Sequence, residues 1–125
     1  MDVSRGFLIM GSLYLLVGIV FGGYMGASGD HSLFPVHAHI NLLGFTLMTV
    51  FGLAYRLLPA LTEGWMARAH FWLHQIGVFA LLVALFLMMS GRVAESSVGP
   101  FMPVFEGLIL LGAIIWAGNL MRTRF

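Results

Sequence analysis

Five histidines carry most of the chemistry that this sequence can perform: His31, His37, His39, His70 and His74. Imidazole is the commonest metal-binding side chain, and it can exchange a proton near neutral pH. The chain has no cysteine, which excludes disulfides, thiolate metal sites and covalent cofactor attachment through a Cys-x-x-Cys-His motif. A bound metal or cofactor must therefore be held by histidine, methionine, asparagine or carboxylate side chains.

The composition predicts that these histidines lie in a membrane. Of the 125 residues, 60% are apolar and only 9% are charged, against roughly 45–50% and about 25% in a soluble domain. So few charged side chains cannot cover the surface of a small soluble protein. The net charge of +1, with no basic cluster, gives no basis for nucleic-acid binding. We therefore expect one integral membrane domain over residues 1–125.

Four apolar stretches predict four membrane-spanning helices. They cover residues 6–26, 34–58, 68–90 and 100–121, and each is at least as long as the roughly 20 residues that cross a bilayer. Short loops make consecutive helices antiparallel, so we predict an all-α membrane four-helix bundle of up-down topology. The first stretch exceeds the roughly 7–15 apolar residues of a signal peptide, so we expect it to be retained.

The arginines predict the orientation of the bundle. With four spans, only Arg92 falls on the face opposite the chain termini. The arginines on the same face as the termini are Arg5, Arg56, Arg68, Arg122 and Arg124. Because arginine and lysine accumulate on the cytoplasmic side, both termini should be cytoplasmic and the protein should lie in the cell's inner (cytoplasmic) membrane. The first three histidines then lie at the outer end and the last two at the inner end.

Helical geometry separates the histidines further. His37 and Asn41 share a face, whereas His39 lies about 200° around the helix and cannot join His37 on one ion while the helix stays regular. His70 and His74 can face one ligand together. His39 and His74 should differ in depth by roughly 15 Å. The alternative for all of them is an interfacial role, with imidazoles reaching headgroups or helix-end carbonyls.

Small residues recur at helical spacing on the first helix (Gly18, Gly22 and Gly26) and on the fourth (Ala113 and Ala117). Such stripes favour close helix packing, either within one bundle or between protomers of a homo-oligomer (dimer or trimer). They could also form a flat wall for a planar cofactor.

Glu106 and several methionines lie in the outer half of the predicted bundle. A carboxyl group at that depth is costly unless it is neutral, paired with an outer histidine or in a wet cavity. Met88, Met89 and Met102 either fill gaps in the core or offer thioether ligands to iron or copper.

Residues 36–44 (VHAHINLLG) and 51–59 (FGLAYRLLP) resemble the second transmembrane helix of haem–copper oxidase catalytic subunits, nearest to the nitric oxide reductase and cbb3-type branches. In that family, a His-x-Asn-Leu-Leu motif ligates the low-spin haem b near the outer surface. The resemblance implies that His39 is the haem ligand and that Asn41 is the asparagine of the motif, whereas His37 has no counterpart. Residues 69–77 (AHFWLHQIG) are similar only loosely.

The family's further ligands lie on later helices that are not among these four spans, so the resemblance does not imply a complete binuclear centre. It implies a small relative that binds haem b through His39 and carries electrons or binds a gas such as O2 or NO. The carbonyl of Pro35, four residues earlier, can fix the other ring nitrogen of His39. Arg92 is the outer cation that could meet the haem propionates.

The sequence leaves several alternatives open. The second iron ligand could be His37 or a methionine after a local helix distortion, or a residue of another protomer, and an inner site could use His70 and His74. A redox protein or quinol could be the electron partner, and whether the protein is an enzyme is undecided.

Copper or zinc could instead be held by a set of outer residues: His31, His37, His39, Glu106 and Met102. A third hypothesis is a non-catalytic assembly subunit of a respiratory complex.

Overall fold

The computed structural model describes residues 1–124 and contains four long helices. They are α1 (Val3–Ser28), α2 (Phe34–Leu57), α3 (Met66–Met89) and α4 (Met102–Arg122). A short helix, Glu95–Val98, and one 3-10 turn precede α4. All four are long and apolar enough to span a membrane, and residues 1–124 contain no strand. The prediction of an all-α membrane protein with four spans is confirmed.

Local chemistry sets the ends of the helices. The Asp2 carboxylate caps α1 by accepting a hydrogen bond from the Arg5 backbone N–H at 3.0 Å. Gly29 ends the same helix in the left-handed region, with φ of 71°, where a side chain would be strained. Pro35 lies in the first turn of α2, where its missing N–H removes no hydrogen bond.

The contacts pair the beginning of α1 with the end of α2, and the end of α1 with the beginning of α2. At one end of the bundle, the Ser4 hydroxyl on α1 donates to the Gly52 carbonyl on α2 at 2.9 Å. At the other end, Gly22 lies against His37. These pairings make α1 and α2 antiparallel neighbours. We call the end near His31, predicted to face outward, the His31 end, and the opposite end the terminal end.

The interior is concentrated toward the terminal end, where aromatic side chains of three helices meet. Phe7 of α1 stacks on Tyr55 of α2 with ring centroids 5.9 Å apart, and Trp116 of α4 lies 5.0 Å from Tyr55. The Asn119 amide, fully buried, donates to the Leu61 carbonyl at 2.7 Å and ties α4 to the loop between α2 and α3. The remainder of α4 is largely exposed.

Helix α2 is not regular. Residues Ile40–Thr46 form a π-helix that begins directly after His39, and the Leu47 N–H bonds to the Leu42 carbonyl, five residues back. π-Helical turns are rare and are frequent at functional sites. In this π-helical part, the Leu43 carbonyl accepts a hydrogen bond from His74 of α3.

The predicted orientation can be tested by cysteine labelling, because the native chain has no cysteine. Cysteines at Ser28 and Ser96, in exposed positions at the His31 end, should react with an impermeant reagent added to intact cells. A cysteine at Thr123 should react only after the membrane is opened. Labelling of Thr123→Cys alone in intact cells would reverse the orientation.

Candidate functional site

His39 has one ring nitrogen held by a backbone carbonyl of its own helix. Its Nδ1 lies 2.7 Å from the Pro35 carbonyl oxygen. Since a carbonyl can only accept, Nδ1 carries the hydrogen and the lone pair is on Nε2. The ring is half-buried at the His31 end. The prediction that Pro35 fixes this ring nitrogen is confirmed.

His37 and Asn41 meet as their spacing predicted, but they face α1 rather than sharing a ligand with His39. The Asn41 amide nitrogen lies 3.1 Å from His37 Nε2, to which it donates. His37 Nδ1 is buried and has no hydrogen-bond partner among residues 1–124. Both side chains line a groove of about 450 Å³ whose α1 wall includes Gly18, Gly22 and Gly23.

The first two glycines of the α1 stripe are explained by packing within the chain. A Cβ on Gly22 would lie 3.1 Å from His37 Cε1, and a Cβ on Gly18 would collide with the Asn41 amide oxygen. A Cβ on Gly26 would meet no atom within 4 Å. The stripe predicted close packing either within one bundle or between protomers. Gly18 and Gly22 provide packing within the bundle.

His70 is a core residue, and the interfacial interpretation of it is wrong. Its exposed fraction is 0%, because the second turn of α3 faces both α2 and α4. Nδ1 lies 3.0 Å from the Tyr55 hydroxyl, and Nε2 is buried without a partner among residues 1–124. The rings of Phe51 and Trp116 lie 4.4 and 5.4 Å from the imidazole. Sequence reasoning missed Tyr55, although it lies at the end of α2, close to where α3 begins.

His74 is also enclosed, with an exposed fraction of 2%. Its Nε2 donates to the Leu43 carbonyl at 3.0 Å, so the ring bridges α3 to the π-helical part of α2. The His70 and His74 rings are neighbours, with centroids 5.9 Å apart, but their planes are inclined by 65°. His70 is hydrogen-bonded to Tyr55 and His74 to Leu43, so the two rings are held by separate parts of α2.

Gln75 lies next to His74 on α3, and together with His70 and Tyr55 these side chains form what we call the buried cluster. Its amide nitrogen donates to the Met48 sulfur at 3.4 Å, while its amide oxygen has no hydrogen-bond partner among residues 1–124. A sulfur acceptor is weak. The cluster therefore links α2 and α3 through several polar contacts of unequal strength.

The remaining outer residues are dispersed. Arg92 is exposed, with its guanidinium carbon 5.2 Å from the Phe86 ring centroid. Arg92 lies in a groove whose other lining residues do not include His39, so the structure does not place Arg92 and His39 in one cavity. That groove is lined by Val20, Phe21, Tyr24, Leu33 and Phe86.

Glu106 is exposed on α4. Within the described part of the chain, no three or more histidine or carboxylate side chains are grouped to hold a metal ion. The outer copper or zinc site is not assembled there.

His31 lies in the exposed loop before α2, where its Nδ1 is 3.0 Å from the Gly29 carbonyl. The Ser32 backbone N–H donates to the neighbouring Asp30 carboxylate at 3.0 Å and lowers the pKa of that carboxyl. Asp30 is therefore an anion at neutral pH, beside His31. This loop carries charge at the predicted outer surface, away from the buried cluster.

No family model, curated protein or solved structure matches this chain. The geometry alone distinguishes the four helical histidines. His70 and His74 are enclosed in the core, and His37 is bound to Asn41 at the α1 interface. His39 combines a fixed Nδ1–H with a ring that is only partly covered.

Proposed function

We propose that this multi-pass membrane protein binds haem b and that His39 is one axial ligand of the iron. The observation that carries the proposal is the hydrogen bond from His39 Nδ1–H to the Pro35 carbonyl. Metal-binding histidines almost always donate their second ring N–H to a carbonyl, carboxylate or water, which fixes the tautomer and orients the lone pair. The resemblance of residues 36–44 to a haem-binding helix adds the choice of cofactor.

The residues present fit one axial position. His39 Nε2 is available for iron because the ring hydrogen is on Nδ1, and the ring is only half-buried. His37 would have to leave Asn41 to become the second ligand, and the enclosed rings of His70 and His74 would have to leave the core. A second ligand to the iron would therefore be a methionine, a residue of a second protomer or a small molecule.

When bound, haem supplies a one-electron change of the iron or an iron site for a gas such as O2 or NO. The chain's own contribution is to hold the iron through His39 and to keep its ring in one tautomer through Pro35. Without the further ligands of a binuclear centre, the proposal is limited to electron transfer or gas binding. A redox protein or quinol would exchange the electrons. We place the protein in the inner membrane with both termini cytoplasmic.

The visible spectrum of the protein purified in mild detergent tests this function. We expect a Soret band, with separate α and β bands after reduction, and one haem per chain. Copper or zinc in the purified protein without a Soret band would favour a metal-handling protein instead. The absence of haem and of metal, when haem is supplied during expression, would favour a purely structural subunit.

A further inference from the structure

Helix α4 places a carboxylic acid on a surface that the rest of the chain leaves uncovered. Glu106 is exposed about one turn from the start of α4, within the stretch apolar enough to span the membrane. Its neighbour Gly107 has no atom within 4 Å of an added Cβ. A carboxyl group facing lipid is costly unless it finds a hydrogen-bond partner.

The same side of α4 is shaped for close contact with another helix. At 3.6 residues per turn, Glu106, Leu110, Ala113 and Ala117 fall within a sector about 60° wide, and all four are exposed. This sector, which we call the Glu106 face, is distinct from the side bearing Gly112 and Asn119, which packs on α3 and its preceding loop. Small residues allow two helix backbones to approach closely in a membrane.

We propose that the Glu106 face is the contact between two copies of this chain. Copies inserted in the same orientation are related by an axis along the membrane normal, so their α4 helices run parallel and Glu106 meets its counterpart at equal depth. Two carboxyl groups that share a proton satisfy each other by hydrogen bonding. The proposal does not depend on haem binding.

Membrane packing provides the reason for choosing a second copy as the partner. Between transmembrane helices, hydrogen bonds of polar side chains and the packing of small residues drive association. Both features lie on the Glu106 face. On α1, by contrast, Gly18 and Gly22 are already covered by α2. A second copy of the chain therefore supplies both features that the Glu106 face requires of a partner, namely a carboxyl group and small residues.

Disulfide cross-linking in native membranes tests the contact, because the chain has no cysteine of its own. Leu110→Cys and Ala113→Cys keep Glu106 intact and should give covalent dimers with a copper–phenanthroline oxidant. Val83→Cys and Phe79→Cys place cysteines at exposed positions of α3 at similar distances from the His31 end and should stay monomeric. Equal cross-linking at all four positions, or none at Leu110 and Ala113, would overturn the proposal.

A second set of variants tests the role of the carboxyl group. In the Ala113→Cys background, Glu106→Leu should lower the dimer association constant about tenfold, as expected for loss of a membrane hydrogen bond. Glu106→Gln should retain most of the association, because an amide both donates and accepts. Glu95→Leu removes an exposed acid outside the face and should have no effect. Association unchanged by Glu106→Leu would overturn the role of Glu106.

Discussion

Replacing His39 with alanine is expected to abolish haem retention or to convert the bound haem to a high-spin form. The change removes the Nε2 lone pair while leaving the Pro35 carbonyl and the rest of α2 in place. The half-buried ring contributes little to the core, so the four helices should still form. Haem content per chain and the reduced spectrum measure the effect, and circular dichroism checks that helix content is unchanged.

Matched histidine variants give this prediction its specificity. His31→Ala changes an exposed loop and should leave the spectrum unaltered. His37→Ala removes the partner of the Asn41 amide. Loss of haem equal to that of His39→Ala would mean that a distorted helix start brings both imidazoles to the iron, or that His37 of a second protomer is a ligand. A wild-type low-spin spectrum in His39→Ala, together with haem loss in His74→Ala, would move the site to the buried cluster and contradict the assignment.

The helices and the His39 hydrogen bond were predictable because they depend on local sequence. Apolar length alone determines where a chain can cross a membrane, and four such stretches are evident. The Pro35 carbonyl is four residues before His39, so ordinary helical geometry brings the two groups together. The meeting of His37 and Asn41 has the same origin.

The π-helix and the buried cluster were not predictable in this way, because they depend on contacts between distant residues. Nothing in the apolar pattern of residues 40–46 indicates a π-helical hydrogen bond between residues five apart. The partner of the Leu43 carbonyl, His74, lies 31 residues away in the sequence. The place of His70 near the start of a span left an interfacial role open. Its burial follows from Tyr55 and Trp116, which other helices bring to it.

The small-residue stripes show the same limit. Spacing predicts close packing but not which surface packs, and only the structure shows α2 covering Gly18 and Gly22. On α4 the structure separates Gly112, which faces α3, from Ala113, which is exposed. The proposed contact between copies follows from that separation.

The second large effect is expected at Gly44, in the π-helical part of α2. A Cβ at this position would lie 2.5 Å from Tyr14 Cγ and 2.7 Å from Tyr14 Cβ, which is closer than packed carbon atoms approach. Both atoms are at the root of the Tyr14 side chain, so a rotation of the ring cannot relieve the collision. Gly44→Ala should therefore push α1 away from α2 and destabilise the fold by about 1–3 kcal/mol.

Gly23 provides the matched control for Gly44. It lies on α1, and an added Cβ meets no atom within 4 Å, so Gly23→Ala should leave stability unchanged or raise it slightly through the higher helix propensity of alanine. Unfolding of both variants in mixed micelles with increasing dodecyl sulfate gives the comparison. Because the Gly44 collision is with Tyr14, adding Tyr14→Ala should recover part of the stability lost in Gly44→Ala, since it removes Cγ and Cδ1. If Gly44→Ala is as stable as Gly23→Ala, α1 does not pack against the π-helix as closely as the structure shows.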